Sequence, residues 1–212
     1  MRGFWLVFAA AGLLAAQERF AGSDEIDRVI NEALAADQMP GAVAWIGQNG
    51  TILHRKAYGN RSLTPSREPM TLDTIFDAAS LTKVVATTAS MMRLVEQGKV
   101  RLGDKVTVYL PEFQRGKSDI TVRMLLTHFS GMRPDVDLVP EWSGYQTGIK
   151  LALTDKPVAA PGERFIYSDI NFVLLGEMVR RLSGRPLDQF AREEIYLPLG
   201  MNESQFNPPA AL

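Results

Sequence analysis

The decisive stretch of this sequence reads Phe76-Asp77-Ala78-Ala79-Ser80-Leu81-Thr82-Lys83-Val84-Val85-Ala86. Ser80 stands where an extended segment gives way to an apolar pattern, which predicts a long helix from Leu81 to Gln97. Residues three apart lie on one helix face, so we expect the Lys83 amine beside the Ser80 hydroxyl. A serine needs a neighbouring base before it can attack a carbonyl carbon, and this pair could supply both groups.

The same spacing also has a purely structural interpretation. Serine is a common N-cap, and Lys83 would then be a solvated surface side chain. Of the eleven serines, only Ser80 has a lysine three positions later, and chance could produce one such match. The pair alone therefore leaves both interpretations open.

The segment before this stretch predicts a helix followed by a hairpin. Ser23 is a plausible N-cap, and the apolar residues of 26–34 have helical spacing. Residues 42–46 and 51–55 are typical strands, and Asn49-Gly50 between them is a strong two-residue hairpin signal. Because an isolated hairpin is not stable, further strands must complete the sheet. No further strand is obvious before the chain ends.

The segment after this stretch has mostly helical patterns. Thr121 can cap a short helix over residues 122–127, and residues 129–147 look like an irregular loop. Apolar spacing predicts another helix from Ile170 to Leu182, with a glycine just past its end. Pro186 then starts a helix that continues through Glu194.

Composition narrows the classes of partner and cofactor. The 212 residues are 46% hydrophobic and 22% charged, which suits one globular domain or two lobes that share an interface. The net charge is −1 and no basic run stands out, so we do not expect a nucleic-acid partner. The absence of cysteine excludes disulfides and thiolate chemistry, and with only His54 and His128 a zinc site is not expected. No metal or organic cofactor is implied, and the oligomeric state stays open.

The N-terminus resembles an export signal. Met1-Arg2 is followed by 14 apolar, uncharged residues, Gly3 to Ala16. That length is short for a membrane span and is typical of a signal peptide, so we predict a signal over residues 1–16 and one domain over 17–212. An uncleaved membrane anchor is the alternative. The signal predicts an exported protein, either periplasmic or secreted.

A second group of candidate residues is Tyr167-Ser168-Asp169, where an extended segment meets the helix predicted to start near Ile170. Asp169 could cap that helix, and Tyr167 could relay a proton if a nearby ammonium group stabilised its phenolate. The alternative is a half-buried aromatic residue beside a helix cap. A histidine in a position such as that of His128 is more often a structural hydrogen-bonding residue than a base.

Several segments in the same order resemble the serine β-lactamases and penicillin-binding proteins, in particular the class C branch. Residues 76–86 resemble the nucleophile motif of that family, and Tyr167-Ser168-Asp169 resembles its Tyr-x-Asn motif with Asp in place of Asn. Four further segments are also similar to the family: residues 102–113, 125–131, 161–165 and 197–201. The resemblance extends from about residue 23 to residue 207, which makes it far more specific than the Ser-x-x-Lys spacing alone.

The resemblance implies roles for four residues. Ser80 would be the acylated nucleophile, Lys83 would help remove its proton, and Tyr167 would act as general base or proton relay. Asp169 stands where the family has an Asn that contacts the substrate amide and the lysine. A carboxylate there would raise the pKa of Lys83, which would move the base role toward Tyr167 or favour substrates other than β-lactams.

The resemblance also implies an α/β (α+β) fold, with a β-lactamase/transpeptidase-like sheet and a helical lobe. The family's third motif, Lys-Thr-Gly or His-x-Gly on a later strand, has no counterpart between Tyr167 and Leu212. We therefore expect a domain that lacks its C-terminal strands and closing helix. The expected activity is acyl transfer from a small-molecule or peptide amide or ester: an esterase, a D-Ala-D-Ala-type peptidase or a β-lactamase. The alternative is a catalytically inactive fragment or a binding protein on the same scaffold.

Overall fold

The computed structural model describes residues 20–114 and 116–209, so the predicted signal segment lies outside the described residues. The chain divides into two compact units, which meet at Phe76 and Asp77 in the sequence. Within the described residues, no helix has the length and apolar character needed to cross a lipid bilayer.

The first unit is a helix and a small antiparallel sheet. Helix α1 spans Ser23–Ala35, strand β1 Gly41–Gln48, strand β2 Thr51–Ser62, and strand β3 Glu68–Pro69. The strand order is β1-β2-β3, and the β1–β2 register pairs Gly41 with Gly59 and Trp45 with Arg55. The hairpin turn has positive φ at both Asn49 and Gly50, as its sequence predicts.

Two details of this unit correct the sequence prediction. The N-cap of α1 is Gly22 rather than Ser23. Ser23 is buried, and its Oγ lies 3.1 Å from His54 Nδ1. Both strands are longer than predicted, and β3 adds a third strand where the sequence showed no obvious further strand. A two-residue strand carries too little pattern to be recognised in a sequence.

The second unit is helical. Helix α2 spans Ala89–Glu96, α3 Val122–Leu126, α4 Tyr145–Thr154, α5 Asp169–Ser183, and α6 Leu187–Ala191. Short 3₁₀ turns cover Ala79–Leu81 and Val106–Val108, and π-helical turns cover Lys83–Thr88 and Arg192–Tyr196. Its largest fully buried apolar side chains are Phe113, Phe190, Met91, Leu94, Leu110, Ile120, Leu125, Met132, Ile170, Leu174 and Leu175.

The helix boundaries follow the sequence prediction in part. Thr121 caps α3, and Gly184 ends α5 in a left-handed conformation, both as predicted. The single helix predicted from Leu81 to Gln97 is instead a 3₁₀ turn, a π-helical turn and then α2. The residue that caps α5 is Ser168 rather than Asp169, which is the first residue of the helix. Helix α4 begins in the segment expected to be a loop.

Glu177 on α5 is a buried carboxylate that ties α4 to α5. Its side chain is 2% exposed and accepts hydrogen bonds at 2.7 Å from Tyr145 Oη, Arg180 Nε and Arg181 Nε. Burial alone would raise the pKa of Glu177, but the hydrogen bonds from Arg180, Tyr145 and Arg181 outweigh burial and lower it to about 2.

This lowered pKa predicts an acid-sensitive contribution to stability. The Glu177 charge should stabilise the fold fully above the ordinary carboxyl pKa of 4.5, and this contribution should disappear as the pH falls toward 2. Glu177→Gln should cost roughly 3 kcal/mol of unfolding free energy at pH 7. The destabilisation that Glu177→Gln causes should decrease as the pH falls from 4.5 to 2. Denaturant titrations across that range test this, with the exposed Glu203→Gln as control. A penalty that stays constant with pH would contradict it.

Candidate active site

Ser80 lies at the start of the helical segment that leads into α2. It belongs to the 3₁₀ turn Ala79–Leu81, and its side chain is exposed. Ala79 has φ 42°, an uncommon value for a residue with a Cβ, and its N–H donates to Asp77 Oδ1 over 2.8 Å. The turn therefore presents the Ser80 hydroxyl at the surface of the unit, one residue after a strained position.

Lys83 begins the π-helical turn and points back to Ser80. Its Nζ donates a hydrogen bond to Ser80 Oγ over 3.1 Å, and its side chain is only 15% exposed. The same Nζ lies 2.7 Å from Asp169 Oδ1. This contact is an ion pair between the ammonium group and the carboxylate. The amine thus joins the turn that carries Ser80 to the first residue of α5.

The charge state of Lys83 follows from these contacts. Burial lowers the pKa of the Lys83 amine, but Asp169 and the Tyr167 hydroxyl raise it by more, and the net shift is upward. Lys83 is therefore an ammonium group at neutral pH. An ammonium group has no free lone pair, so in this state it donates to Ser80 and cannot take the serine proton.

Tyr167 is the third member of the group. The Lys83 Nζ lies 4.9 Å from the centroid of its ring. Hydrogen bonding to Lys83 lowers the pKa of the Tyr167 phenol, hydrogen bonding to Ser80 adds to this effect, and together they outweigh partial burial. The structure therefore brings all four sequence-predicted site residues together: Ser80, Lys83, Tyr167 and Asp169.

The segment that carries Tyr167 is held by residues around His128. Ile166 N–H donates to the His128 carbonyl over 2.9 Å, and Ser168 N–H donates to His128 Nδ1 over 3.0 Å. The buried Ser130 hydroxyl donates to Asn171 Oδ1 over 2.7 Å, and this hydrogen bond holds the first turn of α5. The tyrosine is thus anchored on both sides by one histidine.

Two aromatic residues of the site were not singled out in the sequence analysis. The Phe165 and Phe172 rings lie 5.6 and 5.2 Å from the His128 ring centroid, and Lys83 Nζ is 5.9 Å from the Phe172 ring. The only sequence signal was their position, two residues before and five residues after Tyr167. Such spacing is equally typical of core packing, so the sequence alone could not distinguish the two.

Phe172 also lines a cavity of about 630 Å³ between α4 and α5. Its other lining residues include Tyr145, Ile149 and Glu177, but neither Ser80 nor Lys83 nor Tyr167. The cavity therefore lies beside the group formed by Ser80, Lys83 and Tyr167 rather than around it. Within residues 20–114 and 116–209, no cluster of three or more His, Asp or Glu side chains could hold a metal ion.

Gly131 is the position in this region where a side chain cannot be accommodated. It has φ 76°, and a Cβ atom there would lie 2.2 Å from the Ala159 carbonyl oxygen. Gly131→Ala should therefore lower the unfolding free energy by about 3 kcal/mol, because both the backbone at residue 131 and the segment that carries Ala159 must shift. Gly116→Ala is the matched control, because it also has positive φ but has no atom within 4 Å of its Cβ. If chemical denaturation showed the same loss of unfolding free energy in both variants, the close contact with the Ala159 carbonyl would be unimportant.

Comparison with known proteins places these features in a family. The model of the family described as Beta-lactamase matches residues 26–212. An N-acetylmuramyl-L-alanine amidase of Bacillus subtilis is 34% identical, with 87% of this chain and 46% of the amidase covered. The chain spans about half the length of the curated relatives it matches.

Solved structures show the same relationship. An octameric penicillin-binding protein homologue from Pyrococcus abyssi superposes with a TM-score of 0.74 at 30% identity, over 84% of this chain and 43% of that one. EstCE1, a hydrolase with promiscuous acyltransferase activity, gives a TM-score of 0.74 at 26% identity, over 84% of this chain and 51% of that one. The mixed α/β fold is therefore that of β-lactamase-like and penicillin-binding-protein-like structures, and the chain belongs to the Beta-lactamase family.

Proposed function

We propose that this chain carries the nucleophilic site of a serine hydrolase, which transfers an acyl group from an amide or ester to water through an ester on Ser80. The observation that carries the proposal is the hydrogen bond from Lys83 Nζ to Ser80 Oγ, with the centroid of the Tyr167 ring 4.9 Å from the same Nζ. Relatives described as hydrolases, an amidase and EstCE1, support the general reaction class.

The charges of the site assign the proton transfers. The Tyr167 phenolate takes the proton from Ser80 Oγ as that oxygen attacks the carbonyl carbon. The tetrahedral intermediate then collapses, its C–N or C–O bond breaks, and Tyr167 returns the proton to the leaving amine or alcohol. In the second half, Tyr167 takes a proton from water, the hydroxide attacks the Ser80 ester, and the serine leaves with that proton.

Lys83 supports these proton transfers without changing its own protonation state. Its ammonium group stabilises the phenolate, and its hydrogen bond to Ser80 Oγ stabilises negative charge as the proton departs. The Ser80 backbone N–H is the proposed first donor to the oxyanion. Asp169 keeps Lys83 charged by the ion pair at 2.7 Å, which is why we assign the base role to Tyr167 rather than to the lysine.

The proposed substrates are those of the sequence analysis: small esters, D-Ala-D-Ala-type peptides or β-lactams. Where an Asn would offer both an amide donor and an acceptor, the Asp169 carboxylate only accepts hydrogen bonds. We therefore place esters and peptides before β-lactams in the order of testing.

The test is covalent labelling of the folded chain. The protein is treated with a fluorophosphonate probe, an activated aryl ester and a β-lactam, and its intact mass is measured over time. We expect one adduct per chain, which maps to the peptide that contains Ser80. A folded protein that acquires no adduct from any of these would instead support the inactive or binding-protein alternative.

A further inference from the structure

His128 is the residue most closely engaged with Tyr167. The two rings stack with centroids 4.5 Å apart and planes 27° from parallel. The residues on both sides of Tyr167 donate their N–H groups to His128, one to its carbonyl oxygen and one to its ring. No side chain other than a histidine could provide both this ring and this acceptor nitrogen.

The backbone of His128 is itself held in an uncommon conformation. Its φ is 61°, in the left-handed region that residues other than glycine rarely adopt. His128 is 9% exposed, and the Phe165 and Phe172 rings lie against its ring. Such a conformation persists only where the surrounding contacts enforce it, and here those contacts aim the ring at Tyr167.

The imidazole is in the protonation state that this arrangement requires. Burial lowers the pKa of His128, the Lys83 charge lowers it further, and the Asp169 charge raises it by less. These two charges and the Tyr167 phenol are the titratable groups that influence the ring. A neutral imidazole leaves Nδ1 free to accept the Ser168 N–H, so the proton lies on Nε2.

We propose that His128 is a positioning residue, whose stacked imidazole holds the Tyr167 phenol against Lys83 and Ser80 in the geometry for proton transfer. The inference rests on the proposed function only for its effect on rate, because the placement of Tyr167 can be measured without turnover. Ring stacking of this kind stabilises a ring beyond the burial of its area, and so favours one rotamer of a half-exposed side chain.

His128→Asn separates positioning from folding. Asparagine tolerates the left-handed backbone, and its side-chain oxygen can still accept a hydrogen bond, but it has no ring. The first measurement is the ultraviolet titration of Tyr167, taken as the difference between each protein and its Tyr167→Phe counterpart. In His128→Asn we expect the Tyr167 pKa to rise toward the ordinary value of about 10, since the phenol drifts from Lys83. An unchanged Tyr167 pKa would overturn the proposal.

The second measurement is acylation of Ser80 by an activated aryl ester. His128→Asn should lower kcat by about tenfold to a hundredfold with little change in KM. In the Tyr167→Phe background the same substitution should have no further effect, because His128 acts through the phenol. An equal loss in both backgrounds would show a general structural role and would refute positioning.

Two outcomes are kept distinct by this design. A wild-type protein that is inert to every acyl donor would refute the proposed function, while the titration would still decide the role of His128. If His128→Asn melts well below the wild type, the same two measurements are made on His128→Gly, which removes the ring without strain at φ 61°.

Discussion

Replacing Ser80 with alanine is expected to abolish covalent labelling and to reduce hydrolysis at least about 10⁴-fold, to the level of residual binding effects. The reason is that the proposed reaction forms its ester on Ser80 Oγ, and no other serine or threonine hydroxyl is hydrogen-bonded to Lys83 among the described residues. The Tyr167 side chain would still be present in this variant, but there would be no serine proton for it to take.

The measurement is the intact mass after treatment with the fluorophosphonate, together with the rate of aryl-ester hydrolysis. Ser66→Ala is the matched control, because Ser66 is also exposed and is not one of the four site residues, so it should label at the wild-type rate. The Ser80 side chain is exposed, and its removal should leave the melting temperature nearly unchanged. Full labelling of Ser80→Ala would place the nucleophile elsewhere in the chain.

Features with a local cause could be predicted from the sequence. The hairpin turn depends on Asn49-Gly50, whose positive φ values are the low-energy conformation for that pair. The cap at Thr121 and the left-handed stop at Gly184 likewise depend on one side chain and its neighbours. In each case the sequence within a few residues determines the structure.

Features that depend on distant contacts could not be predicted in this way. Ser23 has the chemistry of a cap, but its hydroxyl is used by His54, which lies 31 positions later, and the cap moves to Gly22. The π-helical turn after Ser80 has no sequence signature, and it buries Ala86 and Thr87. Residue spacing alone would have given a regular helix here.

The site shows the same division. The pairing of Ser80 with Lys83 follows from their spacing of three residues, whereas Tyr167 and Asp169 come from a segment more than 80 positions later. Resemblance to a family brought these segments together in the prediction, and the structure supplies their geometry. The contribution of His128 could not be seen in the sequence, because it depends on a backbone conformation that its residue type does not indicate.

The base assignment leads to the second large prediction, that Tyr167→Phe lowers kcat by about 10²–10⁴-fold. Phenylalanine keeps the ring, so the stacking with His128 and the contact with Lys83 should remain, and only the proton-transfer group is removed. Tyr109→Phe is the matched control, since it also removes a hydrogen-bonded hydroxyl, the one that donates to Asp104. It should keep wild-type kcat.

The pH dependence distinguishes the two candidate bases. If the Tyr167 phenolate is the base, kcat should rise with pH through a pKa below the ordinary tyrosine value of 10, because Lys83 and Ser80 lower the pKa of the phenol. The rate should then fall as Lys83 loses its proton, above the ordinary lysine value of 10.5, since its pKa is raised. If neutral Lys83 were the base, the rate would rise only in that higher range. In Tyr167→Phe, the rise of kcat at the lower pKa should also disappear. A Tyr167→Phe variant that keeps both this rise and the wild-type rate would show that the lysine is the base.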